Sequence, residues 1–182
     1  MELGRLLAKN KTAIVKKWCD LVIDTYPPDT ARFLKSQVDP FANPVGSTTL
    51  ESLEAIFEQI PGGIDRDTAV SLLDPIIRIR AVQNFTPSQA VGFILSLKAI
   101  INEQLAGAMD SPAMVTEMAT LNANIDDLCL VGFDVYMKCK ETIYRIKANE
   151  QRNRVFSVFE RAGLVTENSD TDPDSGSSNL IS

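Results

Sequence analysis

Not one of the 182 residues is histidine. Histidine is the side chain whose ordinary proton affinity suits acid and base work near neutrality, and it is the commonest ligand of transition metals and haem iron. Its absence excludes Ser-His-Asp hydrolysis, imidazole-based zinc sites and histidine-ligated haem, and it deprives any cysteine nucleophile of its usual base. Cysteine is itself scarce. Cys19, Cys129 and Cys139 are odd in number and widely spaced, with no CxxC, so they are expected to be reduced core residues rather than a redox pair or a metal site. No apolar run approaches the about 18 residues needed to cross a bilayer, and the opening MELGRLLAKNKTAIVKKW lacks the continuous apolar stretch of a leader. A cytoplasmic location without membrane insertion is expected.

Positive charge is also in short supply, with 18 Lys and Arg against 24 Asp and Glu, a net −6. Four of those negative charges, Glu167, Asp170, Asp172 and Asp174, fall in the stretch Val165–Ser182, which carries no base. The rest of the chain is near neutral and offers no concentrated basic face for phosphate, so no nucleic-acid partner is expected. GxSxG, HExxH, GxGxxG and GxxxxGK[ST] are all missing. Asp126 and Asp127 are adjacent and face different sides of a helix, so they form no catalytic dyad. Neither a catalytic residue, a metal nor a cofactor is expected.

What the chain does have is helical periodicity, punctuated by proline, with no convincing alternating strand. Leu7, Ile14, Trp18, Leu21 and Val22 make one stripe of a first helix over residues 3 to 25, which Tyr26-Pro27-Pro28 stops. A short helix over 29 to 37 leads into the proline-stiffened loop from Asp39 to Gly46, expected to hold Phe41 against the body. Thr48 with Glu51 reads as a capping box that starts the next helix. Residues 65 to 73 form a further piece, Asp74-Pro75 begins a new one, and Thr86-Pro87-Ser88-Gln89 opens a helix running to Met109. From Pro112 the pattern continues to Glu150, a rod of roughly 60 Å at the helical rise. Gly132 and the polar residues 122 to 127 are the places where it would bend or break. Leu121, Ile125, Leu128, Val135, Cys139, Ile143 and Ile146 recur along it in threes and fours, a seam expected to pair with a second copy as a homodimer. The domain plan is a helical body over 1–150, a short amphipathic extension over 151–164 that carries Val155, Phe156, Phe159 and Leu164, and an acidic tail over 165–182 disordered by composition.

Two groups of residues are candidates for binding. Arg78 and Arg80 sit in an apolar run and point about 200° apart on a helix, so one is solvated while the other turns inward. An inward arginine needs a partner, which is either Asp74 one turn before Arg78 or an anionic ligand. Trp18, Tyr26, Phe33, Phe41 and Phe93 either wall a cavity for an apolar ligand or are simply core. From these, Trp18, Tyr26, Phe41, Arg78 and Arg80 are the candidate ligand-binding residues, with the Asp39 to Gly46 loop beside them.

Trp18, Thr25-Tyr26-Pro27, Phe33, the string Asp39 to Gly46, the string Asp74 to Gln83 and Thr86-Pro87-Ser88-Gln89-Ala90 together resemble the RsbRD N-terminal domain family, over residues 10 to 150. That family comprises sensory input domains of co-antagonists of the stress-response regulator RsbT. The resemblance implies an all-α, globin-like fold without haem and a long last helix, with dimerisation through terminal helices and a non-enzymatic role signalling to a protein partner. It also implies that the last helix leads into a STAS-type output domain. The residues after Arg152 hold none, so a freestanding sensor or adaptor is expected.

Overall fold

The computed structural model describes residues 2–37, 39, 41–83, 85–107 and 111–162. The expected acidic tail over 165–182, Leu164 and the helix end at Met109 lie outside the described residues. Among the described residues 88% are helical, in six α-helices and one short 3-10 turn, and none is in a strand. They are α1 (Glu2–Asp24), α2 (Pro28–Ser36), α3 (Pro44–Gln59), α4 (Arg66–Val82), α5 (Pro87–Leu105) and α6 (Pro112–Arg161), with a 3-10 turn (Ile60–Gly62) after α3. Two compact units divide the chain, Met1–Ile143 and Tyr144–Ser182, so α6 contributes to both.

Three helix starts follow from short polar caps. Thr86 closes a capping box with Gln89: the Gln89 amide donates to the Thr86 hydroxyl at 3.3 Å and the Thr86 amide to Gln89 Oε1 at 3.0 Å. Asp65 accepts from the Thr68 amide, and Ser111 accepts from the Met114 amide at the head of α6. The start of the third helix differs from the expectation. It lies at Pro44 rather than Thr48, because Asn43 is a stronger opening: its Oδ1 accepts from the Gly46 amide and Pro44 takes the first helical position. The Asn43 amide also donates to Leu34 O at 2.8 Å and Gln37 O at 3.0 Å, tying the end of α2 to the start of α3. Asn43, not Phe41, is therefore what the stiff loop delivers to the body. Phe41 is 96% exposed.

Asp74-Pro75 likewise begins nothing, since Pro75 lies inside α4. Proline there forfeits one hydrogen bond, to the carbonyl of Ser71, and Ser71 is exposed, so water can serve that carbonyl. Leu73, Ile76, Ile77 and Ala81 on the same helix are all buried, and their packing carries the helix across the proline.

Within Met1–Ile143 one core joins all six helices. Gly132 does not break α6. A Cβ at this position would come within 2.8 Å of Ile94 Cδ1 and 3.3 Å of Ile77 Cδ1, so the missing side chain is what lets α6 lie close over α4 and α5. Leu121, Ile125, Leu128 and Val135 face this core and are buried, while Cys139 and Ile143 pack partly against it. The seam assigned to a second copy is thus occupied by the chain's own helices as far as Ile143; only Ile146, in the second unit, is exposed. The spacing of threes and fours marks one face of the helix, and as far as Ile143 the neighbour it meets is intramolecular.

Candidate functional site

The centre of the body is an arginine. Arg80 has no accessible surface, and of the two candidate arginines it is the one that turns inward. Arg78 lies outside, held bidentate by Asp74 with contacts of 2.8 to 3.0 Å. The local answer to arginine pairing therefore serves the surface residue, and the buried one has no carboxylate partner among the described residues.

Acceptors of another kind surround Arg80. One terminal nitrogen donates to Gln89 O at 2.9 Å, and the other to Val22 O at 3.0 Å and Thr25 Oγ1 at 2.8 Å. Val22 and Thr25 lie at the C-terminal end of α1, where unpaired carbonyls give the helix a partial negative charge. Three aromatic rings complete the shell, with the guanidinium carbon 5.5 Å from the Tyr26 centroid and 5.0 Å from those of Phe85 and Phe93. A helix end and three ring faces together supply the diffuse negative potential that a carboxylate would otherwise provide. Burial pulls the Arg80 pKa below its ordinary value, opposed by the neighbouring Tyr26, and burial pushes the Tyr26 phenol up. One donor is unsatisfied: Arg80 Nε is buried without a hydrogen-bond partner.

Neighbouring contacts fix this shell in place. Trp18 Nε1 donates to Phe93 O at 2.7 Å, and the rings of Trp18 and Phe93 lie 6.2 Å apart. Tyr26 meets Phe85 edge-on at 5.5 Å, and the Tyr136 hydroxyl donates to Phe85 O at 2.6 Å. Trp18, Tyr26, Phe93 and Arg80, four of the residues singled out from the sequence, therefore meet in one cluster. Phe33 and Phe41 are exposed and take no part. The Asp39 to Gly46 loop makes its bonds to Leu34 and Gln37, a set that shares no residue with the partners of Arg80, and it borders a groove of about 380 Å³ lined also by Cys19, Ile23 and Leu50. Phe85, Thr25 and the carbonyls of Val22 and Gln89 were not foreseen. Their only trace in the sequence is position, since each lies where proline ends or starts a helix.

A helix-only body that closes on a buried arginine, with no histidine to act as a base, defines a class of small all-α domain. Residues 12–151 match the family model described as the RsbT co-antagonist protein rsbRD N-terminal domain, and the chain belongs to that family. This is a family of regulatory sensor domains. Comparison with curated proteins and with solved structures gave no match.

Proposed function

We propose that the chain is a non-enzymatic, stressosome-type sensory or adaptor domain with a globin-like arrangement of helices, working in the cytoplasm by contact with other proteins. The observation that carries the reading is the outer face of α6 in the body. Leu130, Phe133 and Met137 recur at steps of three and four on the side opposite the buried seam, and they are 66%, 44% and 39% exposed. Apolar side chains in such a row normally meet a partner. The homodimer contact moves accordingly from Leu121, Ile125, Leu128 and Val135 to this outer row. Sedimentation equilibrium of the full chain tests it: a dimer is expected for the natural sequence and a monomer for Phe133→Asp. A natural chain that stays monomeric at tens of micromolar refutes the dimer.

A second reading is favoured by one observation, the unpartnered Arg80 Nε. A small anion reaching Arg80 would complete its donor set, making the cluster a ligand sensor. Arg78, already bidentate with Asp74, and the exposed Phe41 have no part in this version. A thermal-shift series with formate, acetate and nitrate tests it, since a ligand that binds only the folded state raises the melting temperature with concentration. The rise is expected in the natural chain and absent from Arg80→Met.

A further inference from the structure

The second unit, described over residues 144–162, presents a face that nothing in the preceding sections uses. Tyr144, Ala148, Gln151, Val155 and Val158 follow one another at alternating steps of four and three, the spacing of a seam between paired helices, and all are exposed. Phe159 lies beside the row, and Val155, Val158 and Phe159 with Arg154 form a shallow apolar depression. Ile146 and Phe156 fall outside it. The charges are sorted around this row. Arg145 and Arg152 run along one edge, and Lys147, Arg154 and Arg161 along the other, at about 60–100° from its middle on either side. The two acids of the stretch, Glu150 and Glu160, lie on the far side of the helix. Among the described residues none of the five bases forms an ion pair.

We infer that this face docks an acidic amphipathic helix of a partner protein, one with apolar residues at its own seam and Glu or Asp at both flanks. The inference rests on the reading of the chain as a regulatory domain acting by contact, and it names the chemistry of the partner. Two other occupants fit worse. A second copy would bring flanking bases against flanking bases whether the helices run parallel or antiparallel, because both edges carry the same sign. An anionic membrane would answer the bases but would have to strip water from the Gln151 amide in the middle of the apolar row without replacing its hydrogen bonds. A partner helix replaces them with a polar residue of its own, the arrangement that sets register in paired helices.

The test uses the full chain and two fluorescent heptad-repeat peptides with identical leucine seams and one glutamine, flanked by Glu in one and by Lys in the other. Anisotropy is expected to show the Glu peptide binding at least about tenfold tighter, from several exposed charge pairs acting together. Reversal of the edges in Arg152→Glu/Arg154→Glu should transfer the preference to the Lys peptide. Val155→Asp should abolish both while circular dichroism stays unchanged, since Val155 is exposed and outside the body. Binding of neither peptide, equal binding of both, or association only with phosphatidylserine–phosphatidylcholine vesicles overturns the inference. Binding that emerges only after deletion of residues 163–182 also overturns it, by assigning the face to the chain's own acidic segment. Sedimentation of the same samples keeps the two proposals apart, because Phe133→Asp abolishes the dimer and leaves peptide binding intact.

Discussion

Replacing Arg80 by methionine asks whether a buried cation without a carboxylate stabilises this body. Methionine is shorter by two atoms but unbranched, polarisable and able to settle among the rings of Tyr26, Phe85 and Phe93, which limits the cavity left by the guanidinium. The loss comprises three charge-assisted hydrogen bonds of about 1.5–3 kcal/mol each. Ring contacts of about 0.5–2 kcal/mol are lost with them. Against this stands relief of the desolvation of the guanidinium, which costs several kcal/mol in the folded state. The acceptors are not orphaned, because Val22 O still receives the Thr25 hydroxyl at 2.6 Å and the Thr25 amide at 3.3 Å. The balance leaves Arg80→Met destabilised by about 2 kcal/mol, a fall in urea midpoint of about 1 M. Arg80→Lys sharpens the test. The burial that lowers the Arg80 pKa acts on lysine from a lower starting value, so the folded variant binds fewer protons than the unfolded chain. Its stability should then rise with pH up to the ordinary lysine pKa of about 10, whereas arginine stays charged on both sides of the transition and shows no such slope. A methionine variant as stable as the natural chain, with its dichroism unchanged, would falsify the structural account of Arg80 and turn attention to the anion reading.

Other consequences are simpler to check. Gly46→Ala drives a methyl group into the Asn43 side chain and should break its bonds to Leu34 O, Gln37 O and the Gly46 amide, lowering stability by about 1–3 kcal/mol in chemical denaturation. Thr86→Ala removes the cap of α5 and should cost about 1 kcal/mol, with Thr86→Ser largely preserving stability. Burial pushes the Cys19 thiol from 9.0 up to about 11, so the folded chain holds this proton after the unfolded chain has lost it. The contribution of Cys19 to stability is therefore complete below 9.0 and lost as pH rises towards about 11, and at neutral pH its alkylation should be slow and should speed up as pH rises towards about 11. Exchanging Cys19 for alanine should remove that alkaline component without changing the behaviour of Arg80→Lys.

Much of the outline was legible because it depends on neighbours in sequence. Apolar spacing gave the helices, and Thr86-Pro87-Ser88-Gln89 contains every atom needed for its own cap. Proline was misjudged where tertiary packing outweighed it: Pro75 looks like a start, but the buried side chains around it hold α4 together. The two local starts at Asn43 and Thr48 compete for one helix, and Asn43 wins through carbonyls of α2 that adjacency to Thr48 does not reveal. Face and partner are separate questions. Periodicity shows that Leu121, Ile125, Leu128 and Val135 share a side, and only packing against Ile77 and Ile94 beside Gly132 shows that the side is turned inward.

The amino-acid sequence by itself determined that this protein is helical, that histidine chemistry is closed to it, and that one of two neighbouring arginines must enter the interior, since these follow from composition and from the angle between successive residues on a helix. Which arginine enters, what receives it and which helix face is left for a partner were decided by tertiary structure. Arg80 is bound by Val22, Thr25 and Gln89, and two of these lie more than fifty positions away in the chain. Carbonyls and ring faces carry no sequence signature as cation acceptors; they become one only when helix ends from distant parts of the chain converge on the same point.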